Sequence, residues 1–221
     1  MRLSYIDFHT HRLPTEEDIT AIYNVFHYEQ PPSYPYYSIG IHPWHTERLS
    51  ENEWENFVQY IPGALAIGEC GMDKAPRFRS SFDKQKEIFI RQIRLSETYK
   101  KPLIIHCVRC YNTLKQLRRS SSMPWIIHGF NKSYELAIEL MEKYGMFLSF
   151  GQALLNNNGK IPHIFKKLPL SRILLETDDK PVNIKNIYRT AAQIKEITEQ
   201  TLLIHMHKQF EKIFKKSVFS Q

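Results

Sequence analysis

Cysteine is scarce: three in 221 residues. That odd and small number argues against a disulfide framework and suits a reducing compartment. Cys107 and Cys110 do form a C-x-x-C, the spacing of a redox pair or of half a zinc site. No second cysteine pair exists to complete such a site, and the neighbouring His106 offers a better account of the segment. Cys70 reads as a small apolar residue beside Glu69. Long apolar runs are also missing. No window approaches the roughly 18–20 apolar residues of a membrane span. The opening MRLSYIDFHTH lacks the uninterrupted apolar stretch of a secretory signal. No low-complexity tract breaks the chain, and there is no G-x-S-x-G to mark a serine nucleophile. These absences lead to the expectation of a soluble cytoplasmic protein with no membrane association and no evident obligate protein partner.

What is present is ordinary globular composition, 42% hydrophobic and 24% charged, in a length that suits one large domain over residues 1–221. The net charge is +7 with a pI near 9.2. A basic surface attracts polyanions, of which nucleic acid is the commonest. Part of the excess, Lys208, Lys212, Lys215 and Lys216, falls in a C-terminal helix where a solvated face explains it equally well.

Short, near-continuous apolar runs recur along the chain and predict strands near 4–9, 20–26, 36–42, 64–69, 103–107, 125–129, 146–150 and 172–177. Runs of this kind belong to parallel sheets covered by helices. The intervening segments read as helices. Ser50 and Glu53 have capping-box spacing. Residues 82–100 place Phe82, Phe89, Ile93 and Ser96 roughly on one face before Pro102. Ser133 caps a helix over 134–144 that Gly145 ends. Eight alternating units predict a (β/α)8 TIM barrel. It is a distorted one: between His11 and Gly40 there is room for a strand and at most a short helix, and QPPSYP at 30–35 cannot be helical. The first two βα units are therefore compressed.

In such a barrel the C-terminal strand ends carry the chemistry, and nearly every one here ends in a metal-ligand residue type. The ends read D-F-H-T-H, G-I-H, G-E, I-I-H, I-I-H and E-T-D. Alternation along a strand sends His9 and His11 to one face, where two imidazoles can grip a single ion. Asp7 shares that face and is expected to hold an imidazole tautomer. Glu69, His106, His128 and Asp178 add four ligand types from four further strands. Six ligands exceed the needs of one tetrahedral ion and suit two divalent ions, with Glu69 as the candidate bridge. Mixed imidazole and carboxylate donors fit Zn or Mn, and bridged carboxylates also accept Mg.

The runs DFHTH, GIHPW, GECGMD, QKEIFIRQIRLSETYKKPLIIHC, IIHGF and LLETDDKP resemble, in order and over essentially the whole chain, the TatD-type metal-dependent deoxyribonucleases. That resemblance implies a one- or two-metal centre that hydrolyses phosphodiesters in DNA, typically from single-stranded or 3′ ends. It implies His9, His11 and Asp178 on one ion, His106 and His128 on the other, Glu69 between them, and His42 facing the substrate phosphate. Asp178 is the expected proton acceptor for the attacking water. The chain departs from the family pattern at Trp44, where a second histidine is usual, with His45 one place on. It departs again at Val108 and Arg109, where an arginine commonly stands at 108, at Gln209, and in the shortened stretch 12–38. These departures touch no predicted metal ligand and bear on the substrate. The alternatives are an amidohydrolase-like enzyme acting on a small-molecule ester or amide or an aminoacyl-tRNA, and a binding protein with a relic site.

Overall fold

A computed structural model of the protein describes residues 3–218. Its eight strands are β1 (Tyr5–Thr10), β2 (Ile19–Phe26), β3 (Tyr37–Gly40), β4 (Ala66–Asp73), β5 (Leu103–Val108), β6 (Trp125–Ile127), β7 (Phe147–Phe150) and β8 (Ile173–Leu175). Strand order follows chain order, the topology of the (β/α)8 class. The helices are α1 (Glu51–Tyr60), α2 (Phe82–Tyr99), α3 (Tyr111–Arg118), α4 (Tyr134–Ile138), α5 (Lys160–Lys167), α6 (Ile184–Lys195) and α7 (Glu199–Phe214). The front end is compressed as expected: no helix lies between β1 and β2 or between β2 and β3. Among the described residues no helix is long and apolar enough to cross a membrane.

The chain divides into two compact units, one comprising the chain up to Tyr23 and from His128 onward, the other Asn24–Ile127. In the first, β1 pairs in parallel with β2, and β7 with β8. Phe8 is fully buried against Phe210 and Phe214 of α7. α7 buries Leu202, Met206, Phe210 and Ile213 on one face and leaves Lys208 and Lys212 exposed on the other. The Tyr188 hydroxyl of α6 accepts from the Ile6 amide at 3.1 Å and donates to the Ile6 carbonyl at 3.0 Å. A helix side chain thus satisfies both backbone groups of a buried strand residue. The helix predicted over 134–144 is capped by Ser133, which accepts from the Leu136 amide. It passes into a π-helical stretch at Glu139–Lys143 that keeps the adjacent Leu140 and Met141 both buried, and Gly145, at φ 64°, ends it.

In the second unit β3, β4, β5 and β6 pair in parallel. Ser50 and Glu53 form the capping box of α1 in both directions. α2 buries Ile88, Phe89 and Ile93, with Phe89 edge-on to Trp125 at 5.5 Å, and ends on Lys100 in a left-handed conformation. The same face buries Gln85 and Gln92, whose amides do local work. Gln92 bonds both the amide and the carbonyl of Ile41, and Gln85 accepts from the Asp73 amide at 2.7 Å.

Removing a hydroxyl that serves two buried backbone groups leaves both unsatisfied. Tyr188→Phe is therefore expected to lower stability by about 1–3 kcal/mol, read as a shifted urea midpoint with unchanged slope. An unshifted midpoint would show that Ile6 finds other partners.

Candidate metal centre

In the first unit, the ends of β1 and β8 are laced together. The Asp178 amide donates to the His9 carbonyl at 2.9 Å, and the His11 amide donates to the Asp178 carbonyl at 3.2 Å. Asp178 takes φ 56° to make this exchange. Strand alternation puts His9 and His11 on one side, their rings 5.2 Å apart, and Asp178 Oδ1 lies 3.6 Å from Nε2 of each. One donor atom from each of the three falls within 4.8 Å of the other two. Ligands held about 2.0–2.2 Å from one ion must sit at about this mutual spacing, so the cluster fits a divalent cation. The His128 ring lies 4.5 Å from that of His9.

Asp7 corrects an expectation. Its carboxylate accepts from the Thr177 amide at 3.0 Å and the Thr177 hydroxyl at 2.6 Å, and not from an imidazole. The residue before Asp178 is anchored by this pair, so Asp7 acts on the ligand set through the β8 end. Burial pushes the Asp7 carboxyl up to about 7, against the Thr177 bonds. Glu176, fully buried, accepts from the Gly129 amide at 2.5 Å and stands 3.9 Å from His128 Nδ1. Desolvation raises its pKa too.

In the second unit the site is built on β4. Residues 69, 71 and 73 share one face at period two, and Gly71 pairs with His106 of β5. The carboxylates of Glu69 and Asp73 therefore flank the His106 imidazole. Nδ1 lies 2.9 Å from Glu69 Oε1 and Nε2 lies 3.3 Å from Asp73 Oδ2. Glycine is required between them: at φ 126°, a Cβ on residue 71 would stand 2.2 Å from the His106 carbonyl oxygen. His42 Nε2 lies 3.0 Å from the same Glu69 oxygen. His42, Glu69 and His106 make a second group whose donor atoms fall within 4.8 Å of one another. Burial works against charge on His106, but the bonds to Asp73 and Glu69 outweigh it and hold its pKa up to about 9. Asp73, opposed by its own burial, is brought down to about 2 by His106 and Trp44.

Sequence reading left Asp73 without a role, although GECGMD contains it at the spacing that clamps His106. It also left open what Trp44 does. The indole Nε1 donates to Asp73 Oδ2 at 2.8 Å, so Trp44 completes a chain running through Asp73 to His106. His45 takes no part in that chain and packs with His27 and Tyr28. Cys107 and Cys110 are buried thiols in no disulfide, with sulfurs 3.4 Å apart. No cysteine joins a metal-capable group among the described residues. Arg109, at φ 56°, turns the chain after β5 and lines a cavity with Lys74 and Tyr111.

Residues 7–215 match the family model for TatD-related DNases. The chain is 31% identical over 186 residues to the uncharacterized metal-dependent hydrolase YabD of Bacillus subtilis, covering 74% of this chain and 71% of that one. It is 32% identical over 149 residues to the human 3'-5' RNA nuclease TATDN2, covering 64% of this chain and 19% of that protein. Among solved structures, the TatD homologue YjjV of Escherichia coli superposes with a TM-score of 0.81 at 20% identity, over 96% of this chain and 98% of that one.

Asp73→Asn removes one of the two carboxylates that hold a proton on His106. Its imidazole pKa in chelated protein, followed by NMR, should fall from about 9 by roughly a unit or more. A pKa that stays put would show that Glu69 alone sets the charge.

Proposed function

Since the chain belongs to the TatD-related DNase family, a family of metal-dependent hydrolases, we propose that its substrate is nucleic acid and its reaction the hydrolysis of a phosphodiester at a DNA end. The observation that carries the reading is the pair of imidazole–carboxylate groups, His9, His11 and Asp178 in one unit and His42, Glu69 and His106 in the other. Each is mostly buried and spaced for a divalent cation such as Mg, Mn or Zn. A divalent ion bound there supplies Lewis acidity toward the phosphoryl oxygens and lowers the pKa of a water.

The protein's own groups do the rest. Asp178 accepts the proton of the attacking water, and the lacing of β1 to β8 fixes its carboxylate for that task. His42 is fixed at both nitrogens, Nε2 lying 3.0 Å from Glu69 Oε1 and Nδ1 accepting from the Trp44 amide at 3.2 Å, and presents its ring toward the substrate phosphate. Asp73 and Trp44 hold the His106 ring in place. His128, its Nδ1 3.9 Å from Glu176, completes the proposed ligand set. A cavity of about 550 Å³ borders Asp178 and is lined by Asn131, Gln152, Asn156 and Lys180. These amides and a cation suit a polar, anionic chain, as does the net charge of +7. Two relatives point the same way, TATDN3, named a deoxyribonuclease, and TATDN2, named an RNA nuclease.

End-labelled single-stranded DNA should be shortened in Mg or Mn and left intact after chelation. Glu69→Ala should bind metal at least about 100-fold more weakly and lose cleavage, by elemental analysis alongside rate. An Ala variant that folds, retains wild-type metal and still cleaves would sink the ligand assignment.

Affinity for single-stranded DNA should fall steeply with salt, log Kd against log salt having a slope near 0.7 per phosphate neutralised. A binding curve flat between about 50 and 200 mM salt would point to a small neutral ester.

A further inference from the structure

A cavity of about 350 Å³ lies in the second unit and is lined by His27, Tyr28, Trp44 and His45. Nothing in the mechanism above uses it. Tyr28 and Trp44 are 56% and 46% exposed, and they are two of the four large apolar side chains so exposed among the described residues. Exposed aromatic rings converging on one hollow call for an occupant. Both rings are fixed from behind: Tyr28 stacks on Phe26 at 5.5 Å and 6°, Trp44 on Phe78 at 5.1 Å and 18°, and the Trp44 Nε1 is tied to Asp73. A ring already immobilised loses little freedom when a planar ligand stacks on it.

His27 adds a second, independent sign. It is 3% exposed, and its Nδ1 has no hydrogen-bond partner among the described residues, a costly arrangement unless a ligand supplies one. Burial, then the proximity of His45, brings its pKa down to about 4. The ring is thus neutral, with one donor and one acceptor nitrogen. Glu47 and Glu53 stand on the wall with Arg48, so the lining repels a phosphate and offers acceptors to exocyclic amino groups. The Trp44 ring lies 4.6 Å from the His42 ring and 5.8 Å from that of His106. Whatever stacks there sits beside the second ligand group.

We infer that this cavity is a subsite for one unpaired nucleobase of the substrate, stacked on Trp44 and Tyr28 and hydrogen-bonded by His27, with its phosphate directed at the neighbouring ligands. The inference deepens the nuclease reading and rests on it for the identity of the substrate. It gives this chain's tryptophan, in place of the family's histidine, a role in gripping a base.

Trp54 and Trp125 are buried, so ligand-dependent indole fluorescence reports on Trp44. In chelator, adenosine 5′-monophosphate should quench it and ribose 5-phosphate should not. Tyr28→Ala, which leaves the Trp44–Asp73 bond in place, should weaken the nucleotide about tenfold. With metal, Trp44→Ala and Tyr28→Ala should each raise KM about tenfold for an oligonucleotide with an intact terminal base. Tyr28→Ala, which leaves the Trp44–Asp73 bond intact, should not change KM for the same strand ending in an abasic residue. Equal KM values for intact and abasic ends in the wild type, with cleavage retained, would overturn the subsite and leave the nuclease reading standing. If no oligonucleotide is cleaved, the nuclease reading fails. Quenching by the nucleotide alone would then still support the base subsite, and quenching by neither ligand would overturn it.

Discussion

Two carboxylates placed two residues either side of a glycine, with a histidine of the next strand between them, set the terms for the second ligand group. Only a pleated strand brings side chains 69 and 73 to one face, and only a missing Cβ at 71 lets the His106 backbone approach as closely as it does. The clamp orients the ring through both nitrogens at once. For His106 to hold a cation, one nitrogen must give up its proton and its carboxylate partner, and the carboxylate left at the far nitrogen then keeps the ring oriented. Burying so many charges carries a large desolvation cost. The Asp73 carboxylate is offset in part by the Trp44 indole N–H, while buried Gln85 and Asn24 accept from the Asp73 and Glu69 amides, the latter at 2.7 Å.

The first ligand group reaches the same end by different means. Its residues lie on two strands far apart in sequence, and backbone hydrogen bonds between the His9–His11 segment and Asp178 bring them together. Asp7 and Thr177 lock that junction from beneath. The left-handed φ of Asp178 is a local strain, which a non-glycine residue keeps only when its surroundings hold it there. The site and its supports are therefore one structure, and a substitution at Thr177 or Asp7 would act on Asp178 without touching it.

Much of this was legible in the sequence because strand ends announce themselves. All eight apolar runs became strands within a few residues of their predicted limits, and His9, His11, Glu69, His106 and Asp178 fell in groups with ligand spacing. The compressed front end followed from proline and length alone. What escaped was pairing across long separations. Thr177 lies 170 residues from Asp7, and no local pattern chooses it over an imidazole two residues away. The Asp73 clamp depends on Gly71 pairing with His106 across the strands, which period and composition do not reveal. The two glutamines on the buried face of α2 carry no local sign of their strand-end partners.

Trp44 shows where chemistry and recognition meet and how they are kept apart. Of the proposed ligands, His106, Glu69 and His9 stand on strands, and His11, His42, His128 and Asp178 lie just beyond strand ends. Tyr28, Trp44 and His45 stand on the connections after β2 and β3, the segments that tolerate change. At Trp44 the indole N–H keeps a hydrogen bond to the Asp73 carboxylate, while its ring adds an apolar plane that no imidazole of that size would offer. The edge of the side chain serves the clamp, and the part of its ring not covered by Phe78 and Arg77 is what the proposed base subsite would use. A substitution at this position that keeps a ring N–H can therefore alter what the site grips while Asp73 keeps a donor, whereas Trp44→Ala removes the stacking plane and the donor together.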